Sequence, residues 1–285
     1  MVQVDVFTDT ALEGNSLAVF LDGGALSTQQ MQALAREMNL SETTFILPQE
    51  SRAEGTRVRI FTVQEELPFA GHPTLGTAFV LRANTAKDKI VLDLNAGKVP
   101  VTFADEAGKP SFGELTQMDP QFGKTHDPAA VADACGLPLQ AIDGSLPVQT
   151  VSTGVAFTIV PLQSLATLQS MRVDFARLDR YLSDSDSKFF YFVSRQTASR
   201  DARLQARMFF YNGEDPATGS AAGCAAAWMV AHGVAQSDER VIIEQGIEMK
   251  RRSRIFVRAA RQANRVVNVR VGGNVVEVMR AEVFL

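Results

Sequence analysis

The chain has 285 residues, 46% of them hydrophobic, and its 28 Lys and Arg against 32 Asp and Glu leave a formal charge of −4. That length suits two domains of roughly 100–150 residues, each with its own core. So mild an acidity excludes a global electrostatic drive toward nucleic acid or anionic lipid, and small-molecule chemistry becomes the expectation.

The chain opens on a strand pattern, "VQVDVF", with no charged n-region or apolar h-region, and no apolar run approaches the ~20 residues that span a bilayer. These features predict a cytoplasmic protein without membrane partners. After the first strand come a turn at "EGN" (13–15) and a second strand, "SLAVF". A helix follows whose start is explicit: Ser27 and Gln30 form a capping box, Leu26 and Met31 a hydrophobic staple, and Met31, Leu34, Ala35 and Met38 an apolar stripe. It ends near Asn39. "SETTFIL" (41–47) and "RVRIFT" (57–62) read as strands, a helix begins within "FAGHPTLGTAF" (69–79), and "KIVLDL" and "VPVTF" close the half.

"GKTHDPAAVADACGLP" predicts a linking helix capped by Asp127, with Pro128 in its first turn and Gly136 at its end. The second half repeats the first: strand, glycine turn and strand in "VQTVSTGVAFTIVPL" (148–162), helices over 164–182, strands "KFFYFVS" and "LQARMFF", then "NGEDPATGSAAGCAAAWMVAHG" (212–233). The two special helices lie about 145 residues apart, which points to a duplicated unit; two similar α+β domains without duplication is the alternative.

"PTLGTAFVL" and "SAAGCAAAWMVA" are small or apolar on every face, as in a helix buried all round, and Gly76, Ala78, Ala221, Ala222 and Gly223 would let a sheet approach closely. Such a helix still leaves about four N-terminal amides without internal partners, at the positive end of its dipole. Two such mouths facing one interdomain cleft would receive a small carboxylate.

"REMNLSETTFIL", "ELPFAGHPTLGTA", "EDPATGSAAG" and "VRVGGN", in this order along nearly the whole chain, resemble the PhzF-like phenazine biosynthesis family, which has the diaminopimelate epimerase fold. The resemblance implies an α+β protein of two similar domains, each a sheet wrapped round a central buried helix, and a homodimer. The expected domains are 1–118 with a returning strand 277–285, and 119–276. It also implies a cofactor-independent isomerase of a small cyclic amino or hydroxy carboxylate; the phenazine-pathway substrate is trans-2,3-dihydro-3-hydroxyanthranilate. In the cysteine-dependent relatives of this fold each helix mouth carries a thiol. The matching places here, taken as Ala70 and Asp215, hold none, and Cys135 and Cys224 lie elsewhere and read as packing residues. Acid and base chemistry by carboxylate and imidazole remains.

Glu42 shares strand parity with Thr44 and Ile46, so a carboxylate stands beside apolar neighbours whose burial would raise its pKa. Taken alone it reads as a solvated strand-edge residue; the resemblance makes it the proton shuttle. His72 is either a helix cap or, by resemblance, a substrate contact, with Pro73 expected at the first helical position. Asp215 is an ordinary N-terminal carboxylate or, by resemblance, a substrate-orienting catalytic group. Gly71, Pro73, Thr218, Gly219 and Ser220 would line the substrate, with Asn15 and Ser41 as further candidates.

No G-x-G-x-x-G, G-x-x-x-x-G-K-[ST] or G-x-S-x-G occurs, and His72, His126 and His232 lack ligand spacing, so neither nucleotide nor metal is expected. The segment 250–270 carries eight basic residues and no acidic one; strand parity of Arg252, Arg254 and Arg258 favours a solvated face over an anionic partner. Against the phenazine enzymes, Val63 and Glu65 depart from their pattern and the loop in "MFFYNG" is about three residues shorter, which bears on pocket shape. An epimerase using Glu42 and Asp215 as opposed bases, and a non-catalytic binding or scaffold protein, are the alternative functions.

Overall fold

The computed structural model describes residues 1–50, 55–83, 85, 87–104, 111–210 and 213–285, and the chain separates into two compact units, Met1–Thr116 with Gly272–Leu285, and Gln117–Val271. Tyr211 and Asn212 of the shortened loop lie outside the described residues.

In the first unit the elements run β1 (Val2–Val6), β2 (Asn15–Phe20), α1 (Thr28–Met38), β3 (Glu42–Ile46), β4 (Thr56–Phe61), β5 (Glu66–Leu67), α2 (Gly71–Arg82), β6 (Lys89–Leu94), β7 (Gly97–Ala104) and β8 (Phe112–Thr116). β1 pairs antiparallel with β2, β2 parallel with β3, β3 antiparallel with β4, and β4 parallel with β6, which leads through the antiparallel β7 to β8. The last strand of the chain, Arg265–Arg280, pairs with both β8 and β1 and closes the ring. Closing a sheet on itself removes the unpaired edges an open sheet would present. α1 lies against the sheet through Met31, Leu34 and Ala35, which pack with Phe20, Phe45 and Phe61; its capping box at Ser27 and Gln30 and its left-handed C-cap at Asn39 are both formed.

The second unit contains β9 (Gln121–Thr125), α3 (Pro128–Ala134), β10 (Gln149–Ser152), β11 (Ala156–Leu162), α4 (Leu165–Ser170), α5 (Phe175–Ser183), β12 (Phe189–Ser194), β13 (Leu204–Phe210), β14 (Gly213–Asp215), α6 (Gly219–Ala231), β15 (Val241–Gln245), β16 (Ser253–Gln262) and the start of β17, the last strand already described, up to Val271. Asp127 caps α3 through the amide of Ala129, with Pro128 in the first turn. β10 and β11 are antiparallel, β11 and β12 parallel, β12 and β13 antiparallel, and β13 and β15 parallel, so each unit has the same sequence of pairing directions.

The repeat extends to side chains. In the first unit Arg59 makes a bidentate pair with Glu66, 2.8 and 2.6 Å, and lies over the ring of Phe61; in the second Arg207 pairs with Glu214, both contacts 2.8 Å, and lies over Phe209. Arginine, phenylalanine two residues on and glutamate seven on recur at a spacing of 148, and α2 and α6 begin at Gly71 and Gly219 in that same register. Ala70 therefore matches Thr218, both N-caps, and Asp215 matches Leu67. The equivalence of Ala70 with Asp215 expected from the sequence is corrected by three residues.

Both central helices are enclosed. All of α2 from Gly71 to Ala78 is buried, as is α6 from Ala221 to Val230. Gly223 shows why small residues are needed: a Cβ there would stand 1.9 Å from Oε1 of Gln117. The basic strand face is compensated locally, with Arg252 on Glu244, Arg254 on Asp201 and Arg258 near Asp238. No described helix is long and apolar enough to cross a membrane.

Candidate active site

The left-handed C-cap at Asn39 turns the chain from α1 into β3, so that half-buried Ser41 and then Glu42 open the strand. Phe45 of β3 looks toward α1, whereas Thr44 looks toward α2, its hydroxyl 2.8 Å from that of Thr77. Strand alternation puts Glu42 on the Thr44 face. It meets the first turn of α2, with Oε2 3.5 Å from Nε2 of His72.

The N-cap of α2, Ala70, has no side chain able to cap. His72 is the second helical residue and not a cap. Pro73 stands third, not first, which is tolerated because the amide it lacks is an orphan anywhere in the first turn. Asn15, the buried first residue of β2, places its amide nitrogen 3.2 Å from Nδ1 of His72. An amide N–H donates there, so Nδ1 accepts and the neutral ring carries its proton on Nε2, directed at Glu42.

Burial pushes His72 down to about 3, so the ring is uncharged at neutral pH despite the nearby carboxylate. Nε2 is buried and makes no hydrogen bond among the described residues, and 3.5 Å is long for one. The pair is therefore a neutral donor facing a carboxyl group. The unfolded chain takes a proton at this histidine near pH 6.5 and the folded one only near 3, so stability is lost as pH falls through that interval. Denaturation curves between pH 7 and 4 are expected to be less pH-dependent in His72→Gln than in the parent; identical slopes would contradict a buried neutral His72.

In the second unit Asp215 ends β14, buried, and its Oδ2 accepts a 2.6 Å hydrogen bond from the hydroxyl of Thr218. Thr218 is the N-cap of α6 but its side chain caps nothing, being committed to Asp215. Gly219 and half-buried Ser220 are the first two helical residues, and the carbonyl of Gly219 accepts from Gln117 Nε2 at 3.0 Å. Thr153 donates to Gln117 Oε1 at 2.6 Å. Gln245, from the end of β15, joins Thr218 and Asp215, and Tyr191 of β12 donates to it.

The candidates thus fall into two groups, one per unit: Asn15, Ser41, Glu42, Gly71, His72 and Pro73 around the start of α2, and Asp215, Thr218, Gly219 and Ser220 around the start of α6. Gln117, Thr153, Tyr191 and Gln245 were not legible as site residues; the repeated R-x-F-x4-E spacing would have aligned the helix starts but not found these partners. Cys135 and Cys224 are both buried, and burial raises their thiols to about 12 and about 11, so neither supplies a thiolate. Among the described residues no three His, Cys, Asp or Glu side chains form a metal-binding set.

A sheet wound round a buried helix, built twice, with a carboxyl–imidazole pair at an uncapped helix mouth, defines an enzyme of the diaminopimelate epimerase fold. A solved probable proline racemase from Agrobacterium radiobacter superimposes with a TM-score of 0.69 at 12% identity, covering 100% of this chain and 92% of its own, a likeness of fold alone. A solved structure from Pseudomonas aeruginosa, described as a predicted epimerase, gives a TM-score of 0.87 at 34% identity over 100% of this chain and 98% of its own. The trans-2,3-dihydro-3-hydroxyanthranilate isomerase of Pseudomonas aeruginosa is 36% identical over 276 residues, 96% of this chain and 95% of that protein. The family model for phenazine biosynthesis-like protein matches residues 4–281, and the chain belongs to that family. It is an isomerase-class enzyme.

Proposed function

We propose that this enzyme isomerises trans-2,3-dihydro-3-hydroxyanthranilate without a cofactor, Glu42 taking the C3 proton and returning it elsewhere on the conjugated ring system to leave the ketone. The observation that carries this reading is the Glu42–His72 pair: a carboxyl group with 12% side-chain exposure, 3.5 Å from a buried neutral N–H donor, at a helix start whose N-cap residue, Ala70, has no capping side chain. A carboxyl group so placed is close to substrate yet largely withdrawn from water, as a group that both accepts and donates a proton must be. The orphan amides of the α2 mouth suit the substrate carboxylate. Asp215 takes the substrate-orienting role that the family resemblance gives it. The 36% identical relative named for this reaction supports the substrate.

Incubating the enzyme with trans-2,3-dihydro-3-hydroxyanthranilate and following the ultraviolet spectrum tests it; loss of the diene absorbance is expected, and an unchanged spectrum at micromolar enzyme would reject this substrate. The similar structure described as a predicted epimerase favours a second reading, inversion at a chiral carbon by Glu42 and Asp215. Solvent deuterium appearing at that carbon with the double bonds unmoved would identify it.

A further inference from the structure

The hydrogen bonds that Gln245 makes beside Asp215 have fixed directions. The backbone N–H of Thr218 lies 3.1 Å from Oε1 of Gln245, and the backbone carbonyl of Asp215 lies 2.7 Å from its Nε2. A backbone N–H only donates and a carbonyl only accepts, so these two contacts fix which end of the amide is oxygen. The second N–H of Gln245 is thereby directed to the Thr218 hydroxyl oxygen, 2.9 Å away. That hydroxyl, already accepting, turns its own proton to Asp215 Oδ2 at 2.6 Å. Tyr191, fully buried, donates to Gln245 Oε1 at 3.0 Å and completes the amide oxygen's two acceptor sites.

We infer that Gln245 is a positioning residue, which with Tyr191 behind it makes Thr218 a one-way donor to Asp215 and so holds that carboxyl group in its ionised, acceptor form. A hydrogen bond given to the charged form of an acid favours that form. The inference rests on Asp215 being the substrate-orienting group proposed above. Tyr191 is the ionisable side chain this network brings to Asp215, and its burial keeps the phenol protonated. Arg207 and Glu214 pair with each other on the other face of β13 and β14.

The test is carboxyl carbon NMR titration of the full chain, with the Asp215 signal assigned by its loss in Asp215→Asn. Compared with the parent, Thr218→Val and Gln245→Met are expected to raise the Asp215 titration midpoint by roughly one pH unit. Thr218→Ser, which keeps the donor, returns it to the parent value. Should Gln245→Met fail to fold, Tyr191→Phe keeps the question open to measurement by removing one of the two donors that orient the amide, and a smaller rise in the same direction is expected. Midpoints unchanged in Thr218→Val and in the Gln245 or Tyr191 variant overturn the inference. Turnover of Asp215→Asn separates this from the functional reading: parent-like turnover rejects the role of Asp215 in the reaction whatever the titration gives. Loss of turnover with unmoved midpoints rejects the positioning role alone.

Discussion

Glu42→Gln is expected to fold as the parent does, to bind substrate with a similar Kd, and to turn it over roughly a thousandfold more slowly. The amide keeps the size and most of the polarity of the carboxyl group at the start of β3, so the strand and its packing are retained, and an amide group faces the Nε2–H of His72 where the carboxyl group, 3.5 Å away, faced it before. What is lost is the only property an amide cannot supply, reversible proton uptake, whose contribution as general acid–base catalysis is about 10²–10⁴-fold. Because Glu42 would act in both halves of the transfer, a loss above the lower end of that range is expected. Glu42→Asp shortens the reach by one methylene, and a partial loss is expected, since about 1 Å of misplacement costs roughly 10²-fold. Calorimetric binding together with initial rates checks both variants. A parent-like rate in Glu42→Gln would remove the assignment.

The largest stability effect is expected at a residue with no side chain. Gly246 follows Gln245 with φ of +77°, and a Cβ there would stand 2.3 Å from the carbonyl oxygen of Arg251 and 2.5 Å from that of Pro216. Both obstacles are backbone and cannot rotate aside. Gly246→Ala combines about 1–2 kcal/mol for left-handed backbone in a residue with a Cβ with about 1–3 kcal/mol for the forced separation. Lower backbone entropy in the unfolded chain offsets about 0.4–1 kcal/mol. A net loss of about 1–4.6 kcal/mol follows. Pro216 is the residue after Asp215, so turnover is expected to fall even where the variant remains folded. Urea denaturation followed by rates below the transition measures both; a variant as stable as the parent would contradict the backbone clash.

What the sequence made legible was whatever is encoded locally. The capping box of Ser27 and Gln30, the cap at Asp127 and the enclosure of both central helices depend on residues within one or two turns of each other, and all formed. Glu42 was found through a family motif; its burial beside His72 follows from strand parity, which Thr44 confirms by meeting Thr77. Pro73 stands third in α2 and Ala70 matches Thr218, because a motif such as "GHP" or "EDPATG" does not itself fix where the first helical turn begins. The register is set instead by the Arg–Glu pairs that tie β4 to β5 and β13 to β14. Gln245 and Tyr191 were invisible for a different reason. Gln245 lies 27 residues from Thr218 and 54 from Tyr191, and amide and phenol groups carry no spacing signature until the sheet brings them together.

The most direct test of the proton path uses substrate deuterated at C3. If Glu42 removes that hydrogen as a proton, the parent enzyme consumes the labelled substrate more slowly than the unlabelled one, with a primary isotope effect on the chemical step. Glu42→Gln, mixed with the same material, leaves the C3 label in place over many parent turnover times. Release or migration of the label at a parent-like rate in Glu42→Gln would show that another group takes the proton.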